Sequence, residues 1–556
     1  MRNSRGHRFV LFAFLLASFA GAQSDAPDVE YTPRPSNIGS PYVSLGNWVY
    51  PVLDRLIARG YIKSAFQGLR PWTRITCAEL VTEARDSSEN GPAPRDVERM
   101  IVLLEEELAP ELRELSGDRA RDLGIESVYS RVTGISGQPV NDSYHFGQTI
   151  INDLGRPYEE GFNNVSGFSV FGHSGRFALY TAAEYQHAPG MAAYAASVRE
   201  IIAKADNIPI PAAAPLPTTN QFRLLDTYVS GNALGLNFSF GKQSLWWGPT
   251  KSGPMAISDN ATPFWMFRVD RNDPFWIPFL SRFTGPFRLD AFLGELAGHH
   301  FPPQSFIHAQ KISFRPTRNL EFGFSRVVVF AGANHVPLTF GSFFTSFFSL
   351  QDVSAITKLS RNDPGARHSA FDASYRVPGL RDWVTIYTDS IVHDDVSPIS
   401  APHRAAFNPG FYVSHFPRLS NVDFRAEAVY TDPPSDPAAG GQFIYWESVY
   451  RDAYLNHSSL LGNWIGRQGK GYQSWVTYWI SPKSSAQLSY REAKVSPKFI
   501  PGGTTQNDFT LKTDIWIRSN VDFTASVQYE RWSIPVLAPR DKRDLTSSVQ
   551  LSFWPK

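Results

Sequence analysis

Along most of this chain apolar and polar residues alternate one by one, and the polar positions carry both signs of charge. Near the C-terminus Val521, Phe523, Ala525, Val527 and Tyr529 alternate with Asp522, Thr524, Ser526, Gln528 and Glu530. Val422, Phe424, Ala426 and Ala428 do the same against Asp423, Arg425 and Glu427, and Val549, Leu551 and Phe553 stand opposite Ser548, Gln550 and Ser552. A period of two places the two sets on opposite faces of a strand. A soluble sandwich turns its polar face to water and its apolar face to a second sheet. Here acids sit with bases on one face, and aromatics collect near the ends of the other. That is the pattern of strands with lipid outside and a polar lumen inside. The expected fold class is an all-β, antiparallel transmembrane barrel of about 18 strands, with a small N-terminal α-helical bundle ahead of it.

The N-terminal residues set the compartment. Arg2, Arg5 and Arg8 precede an apolar run from Phe9 to Ala20, and Ala20-Gly21-Ala22 supplies small residues for cleavage. This is the order of a secretory signal, so residues 1–22 are read as a signal peptide. Cleavage after Ala22 takes three arginines from the 53 basic residues and leaves 50 against 52 acidic ones. A balance so close to neutral gives no electrostatic footprint for nucleic acid. Cys77 is the one cysteine, so no intramolecular disulfide can form. Beyond the signal no run of 18 apolar residues occurs, and a membrane role falls to the alternating strands.

Residues 23–41, with Pro27, Pro33, Pro35, Gly39 and Pro41, read as an extended leader. Residues 42–125 read as a helical bundle. Trp48, Val52, Leu53, Leu56 and Ile57 fall at helical spacing before Gly60. Thr76-Cys77-Ala78-Glu79 has capping-box spacing, and Val97, Ile101, Leu104 and Leu108 form a stripe along a helix from Pro94 to Leu115. The bundle is expected to cap the lower rim of the barrel, with Trp48 and Leu53 among its anchors, and Cys77 is expected to pack there as a small apolar residue. The barrel is assigned residues 140–556, from a first strand at 145–152 to a last at 544–554. Barrels of this kind alternate short turns with long outer loops. That parity holds along the whole chain only if 262–270 is a wall strand and 442–450 lies inside an outer loop. Arg268 and Asp270 then point into the lumen. Met191 to Ala205 reads as a short helix in a loop over the mouth.

Two stretches together resemble the Wzi-type capsule-assembly proteins. One is the helical entry from Leu45 to Ala84, LGNWVYPVLDRLIARGYIKSAFQGLRPWTRITCAELVTEA. The other is Phe240 to Arg271, FGKQSLWWGPTKSGPMAISDNATPFWMFRVDR, followed by FRLDAFLGEL from Phe287 to Leu296. The resemblance implies an 18-stranded outer-membrane barrel over a periplasmic helical bundle, acting without catalysis as a surface lectin for capsular polysaccharide. Its implied surroundings are the bacterial outer membrane, outer-membrane lipid and the barrel-assembly machinery.

On this reading Trp246 and Trp247 form a sugar platform, because an indole face packs against the apolar face of a pyranose. The alternative is an interfacial anchor, where Trp is enriched. Asp259, Asn260, Arg268 and Asp270 can offer planar hydrogen bonds to sugar hydroxyls or uronates. The alternative is a lumenal ion-pair network that closes the pore. His299-His300 and His393-Asp394-Asp395 lack a third ligand at defined spacing, so no metal site is assigned. Phe171-Gly172-His173-Ser174-Gly175 is not a nucleophile elbow, and there is no P-loop or dinucleotide fingerprint, so neither catalysis nor a cofactor is expected. A diffusion porin shares the wall and is the competing function, with an outer-membrane hydrolase third.

Overall fold

A computed structural model describes residues 38–555, apart from 92, 119–120, 350–353, 381 and 434–439, and of Asn272 the backbone alone. The signal peptide and the leader up to residue 37 lie outside the described residues. Eighteen strands form one sheet. They are β1 (Arg121–Ser136), β2 (Gly161–Ser174), β3 (Phe177–Ala188), β4 (Thr219–Ala233), β5 (Leu236–Lys242), β6 (Trp265–Phe275), β7 (Phe287–Glu295), β8 (Phe306–Thr317) and β9 (Leu320–Phe330). They continue as β10 (Ala366–Arg376), β11 (Val384–His393), β12 (Ala406–Val413), β13 (Val422–Tyr430), β14 (Gly469–Trp479), β15 (Ser485–Val495), β16 (Thr504–Arg518), β17 (Val521–Ser533) and β18 (Lys542–Phe553).

Each strand pairs antiparallel with its neighbours in sequence. β1 pairs with β2 and also with β18, from Val128 opposite Phe553 to Ser136 opposite Leu545, which closes the cylinder. Closure leaves no unpaired edge, the condition for a sheet in lipid. The outward face is apolar and carries aromatics at both ends. Phe177, Tyr478 and Phe553 stand near the short turns, and Tyr185, Phe222, Phe509 and Tyr529 near the long loops. Among the described residues no helix is long and apolar enough to cross a membrane. The wall does the crossing.

The strand at 262–270 is present as β6, and 442–450 lies in the long loop between β13 and β14. The expected first strand is not where alternation placed it. Residues 145–152 turn inside the mouth, and the first wall strand is β1. The barrel therefore begins at Arg121, inside the span assigned to the bundle. The cause is a bulge between Ile125 and Ser127. Leu123 and Ile125 are exposed on one parity and Val128 and Val132 on the other, so the period of two is broken mid-strand.

Among the described residues four helices precede the wall, α1 (Val49–Ala58), α2 (Arg74–Glu89), α3 (Arg95–Glu107) and α4 (Ala109–Leu115). Thr73, not Thr76, caps α2, accepting the Thr76 N–H at 3.2 Å. The single helix expected from Pro94 to Leu115 is divided at Leu108, because Pro110 has no N–H to continue the ladder. Leu53, Ile101, Leu104 and Cys77 are fully buried in the bundle core, and burial pushes the Cys77 thiol up to about 12. Leu53 thus packs within the bundle. Trp48 reaches the rim, 6.0 Å from the Trp516 ring, with the Lys483 ammonium 3.5 Å from its own ring centre.

The bundle is bonded into the short-turn end of the barrel. Gln67 and Gly68 N–H donate to the Glu321 carboxylate, each at 2.9 Å, and Arg315 donates to the Ala65 carbonyl. A Cβ on Gly68 would stand 2.5 Å from Asp372, so this approach requires glycine. Deleting residues 38–118 is expected to lower the yield and the unfolding temperature of the heat-modifiable barrel. A deletion variant that folds and melts like the full chain would contradict this.

Candidate functional site

Between β5 and β6 the chain leaves the wall and crosses the lumen as a strap, residues 243–264. Prolines and glycines at Gly248, Pro249, Gly253 and Pro254 keep it from pairing as a strand. Its backbone is satisfied by side chains of the far wall instead. Lys251 and Ser252 N–H donate to Glu427 on β13 at 2.7 and 2.8 Å, and Met255 N–H donates to Asp389 on β11 at 2.7 Å. Asn408 on β12 donates to the Ser252 hydroxyl at 3.2 Å and the Gly253 carbonyl at 3.3 Å.

The loop between β13 and β14 folds inward onto the strap. Ser258 N–H donates to the Leu461 carbonyl at 2.8 Å, and the Tyr445 hydroxyl to the Met255 carbonyl at 2.7 Å. Strap, loop and upper wall share one apolar core that includes Trp247, Met255, Ile257, Phe292, Tyr445 and Trp464. The lumen is packed solid at this level. Inward-facing Ile307, Val327, Val329 and Ile391 belong to the same core, and they were the available sign of it. An apolar residue on the face expected to be polar needs an apolar partner, and Val327 to Phe330 are buried on both faces.

Trp247 is 0 % exposed, packed 5.5 Å from the Phe292 ring, with its backbone N–H on the Ile257 carbonyl at 3.0 Å. It is neither an interfacial anchor nor an open platform. Trp246 faces the other way. Its backbone pairs with Arg70 of the bundle, and it lines a chamber of about 490 Å³ between bundle and strap, with Asp54, Arg55, Lys251, Tyr387 and Arg425. Asp259 reaches the same chamber. Asn260 is buried, accepting the Asn152 N–H at 3.0 Å and donating to the Leu460 carbonyl at 3.3 Å.

Arg268 and Asp270 do point into the lumen, and both are 1 % exposed. Asp270 lies directly opposite Asp290 in the register of β6 and β7, an arrangement that repels unless a cation intervenes. Arg268 supplies it, with two parallel hydrogen bonds to Asp290 at 2.9 and 2.7 Å and a third to Gln243 of the strap at 2.9 Å. Tyr42, just ahead of the bundle, donates to Asp270 and lies beneath the Arg268 guanidinium at 4.6 Å. The segment that opens the bundle, the wall and the strap meet at this one ion-pair network. Arg268 and Asp290 are engaged by protein, and Asp270 Oδ2 is buried without a hydrogen-bond partner, so none of the three lies open to a sugar.

At the mouth, the expected loop helix is α5 (Ala196–Asp206), which packs on Phe146, Phe499 and Trp532. His145 joins it, 2.8 Å from Asp142 and 2.9 Å from Asp206, and Arg467 bonds the other Asp206 oxygen. Burial alone would lower the imidazole, but the two carboxylates outweigh it and hold His145 at about 10. His145 and Arg467 overcome burial to hold Asp206 at about 2. Three of the histidines singled out in the sequence serve the packing, while His300 is exposed. His299 meets the Leu455 carbonyl at 2.8 Å, His393 stacks on His368 at 4.8 Å, and His173 of the FGHSG turn lies 3.3 Å from Glu114 of the bundle. On the outer rim a cleft of about 450 Å³ is lined by Glu295, Gln304, Asn334, His335 and Arg361, of which only Glu295 falls in a stretch singled out in the sequence.

Replacing Arg268 by alanine leaves Asp290 buried without its partner, a loss of about 3–5 kcal/mol, read as a lower denaturation midpoint of the barrel. Arg268→Lys recovers only part, since an ammonium cannot make the parallel pair. The His145 contribution is fully present below its unfolded value of 6.5 and is lost as pH rises through about 10. That of Asp206 is present above 3.8 and lost as pH falls through about 2. Protection of α5 from protease is therefore expected to stay level between about pH 4 and pH 6.5 and to fall progressively from there to about pH 10. His145→Gln is expected to weaken it throughout.

With this geometry in hand, known proteins can be set beside the chain. The sequence profile of the family described as Capsule assembly protein Wzi matches residues 131–547. A protein of Klebsiella pneumoniae, described as an uncharacterized 55.8 kDa protein in the cps region, is 26 % identical over 164 residues, which is 29 % of this chain. The match spans 31 % of that relative's length. The solved structure of Escherichia coli Wzi superposes with a TM-score of 0.64 at 16 % identity, covering 93 % of this chain and 99 % of that one. That protein is described as an outer-membrane protein involved in group 1 capsule assembly and a carbohydrate-binding β-barrel. A profile that runs from the first wall strand into the last, on a cylinder of the same 18-stranded build, leaves one assignment: the chain belongs to the Wzi family of capsule-assembly proteins.

Proposed function

We propose that this protein sits in the bacterial outer membrane as a closed, non-enzymatic barrel that holds surface polysaccharide at its outer mouth. The observation that carries this reading is the packed lumen. A strap and a 38-residue-scale loop fill the space a solute would cross, so the wall serves to display a surface rather than to conduct. Membership of a capsule-assembly family and the carbohydrate-binding description of the E. coli relative support it. Residues 1–22 direct export, the barrel-assembly machinery inserts the wall, and the bundle hangs on the periplasmic side, where the short turns lie.

Sugar contact is assigned to the outer-rim cleft, where Asn334, His335 and Arg361 bring amide, imidazole and guanidinium groups to an open polar surface. Trp247, Asn260, Arg268 and Asp270 hold the plug that carries this surface, and Trp246 and Asp259 face the inner chamber. Purified protein in a planar bilayer is expected to stay closed, and a large steady conductance would overturn the reading in favour of a porin. Asn334→Ala with Arg361→Ala is expected to lower retention of the native surface polymer by about three- to tenfold while the barrel still folds, as for the loss of one or two hydrogen bonds. Trp246→Ala with Trp247→Ala is expected to lower folded barrel instead, with retention per folded molecule unchanged.

A further inference from the structure

The loop between β9 and β10 does not stay on the mouth. After Ala331 it descends the outer face of the wall, where α6 (Phe340–Phe348) lies against β8 and β9. Ser346 of α6 meets outward-facing His308 at 2.8 Å, and Phe343 and Phe347 pack around the same ring at 5.6 and 5.7 Å. The opposite side of α6 is bare. Phe340 is 85 % exposed, Phe344 and Phe348 are exposed beside it, and Leu338, Ile356 and Leu359 extend the patch. So apolar a surface, joined to a lipid-facing wall, belongs in a bilayer interface.

Beneath α6 the wall changes character. Leu289, Ile312, Phe324 and Phe371 are successive cross-strand partners on β7 to β10, an apolar row facing outward. One step toward the mouth the row reads Ala291, Gln310, Arg326 and Ser369. Arg367 follows Ser369 on the same face. The wall therefore turns from hydrocarbon-facing to cationic within one strand repeat, which marks the height of lipid headgroups.

At that height α6 and the wall enclose a cavity of about 410 Å³. Its lower end is Leu289, Ile312 and Phe324, and its upper end holds Gln310, Arg326 and Arg367. Arg326 closes the last turn of α6, donating to the Phe347 and Ser346 carbonyls at 3.0 and 3.1 Å and to that of Ser349. Among the described residues it meets these carbonyls and no carboxylate. Asp394 and Asp395 also border the cavity, but Asp394 bonds Lys358 at 2.8 Å and Asp395 lies 2.9 Å from Arg404. Each acid is matched by a cation other than Arg326, Asp394 also lying 3.7 Å from Arg367, so Arg326 is the lining cation that meets no carboxylate among the described residues.

We propose that this cavity binds the anionic phosphate headgroup of an outer-leaflet lipid, whose acyl chains run down the Leu289–Ile312–Phe324 row while the phenylalanines of α6 embed beside it. Arginine recognises phosphate through paired N–H groups, and the cavity sits where an apolar tail and a charged head would part. The inference rests on the membrane reading of the barrel and is independent of the polysaccharide site.

The full chain, purified in non-ionic detergent doped with equal amounts of phosphatidylglycerol and phosphatidylcholine, tests it by native mass spectrometry. The wild type is expected to retain phosphatidylglycerol about tenfold over phosphatidylcholine, the difference that one charge-assisted pair provides. Arg326→Gln with Arg367→Gln should erase that preference, as should Ser369→Asp, which leaves the arginines and the end of α6 in place. Heat-modifiability confirms that each variant is folded, and polymer retention should be unchanged in all of them. Equal retention of the two lipids by the wild type, or an undiminished preference in both folded variants, would overturn the proposal. Displacement of the lipid by millimolar inorganic phosphate alone would also overturn it, showing a site for free anion rather than lipid.

Discussion

Carboxylates on the inner wall that receive the backbone N–H groups of inserted segments are the interaction on which this molecule depends. Glu321 takes two from the bundle, Glu427 two and Asp389 one from the strap, and Asp226 one from Ser244 where the strap begins. An irregular segment buried in a barrel has no ladder to join, so its amides need acceptors from somewhere. A carboxyl group offers several lone pairs, so one side chain can take more than one such amide. Glycines let the backbone come close enough. A Cβ on Gly248 would stand 2.6 Å from Asp389, as one on Gly68 would crowd Asp372.

This exchange explains how one cylinder holds two different plugs. The lower half of the lumen is polar and takes the helical bundle through hydrogen bonds and through Arg–aromatic contacts such as Arg55 over Trp479. The upper half is apolar and takes the strap and the long loop through packing. Between them lies the chamber that Trp246 and Asp259 face. On the function proposed above, a wall built this way displays its rim rather than conducting through its centre.

Much of this was legible in the chain. Alternation located seventeen of the wall strands once loop parity had placed β6 and removed 442–450, because each of those strands keeps one parity through most of its length. It failed at β1, where a single bulge moved Val128 and Val132 to the opposite parity from Leu123 and Ile125. The apolar residues at 145–152 imitated the missing strand because they pack inside the mouth. The inward direction of Arg268 and Asp270 was readable from β6 alone. Their partners were not, since Asp290 and Gln243 come from elements whose register only the folded sheet fixes, and Tyr42 lies far away in sequence. The tryptophan pair was ambiguous for a related reason. Neighbours in a strap that is not a strand can face a core and a chamber at once, and no period describes that.

The sockets on the wall also impose an order in time. Gln67 and Gly68 must wait for residue 321 to exist, Tyr42 for residue 270, and Lys251 for residue 427. Contacts so distant along the chain are slow to form, because a long loop must close before any of them rewards it. The bundle has an apolar core of its own and so does not depend on those receptors to pack. The strap has no such core, and apart from Asp226 its carboxylate acceptors lie on strands that follow it. It therefore comes to rest only after β11 to β13 are in place, so the part that fills the lumen waits on wall that lies far ahead of it in the chain.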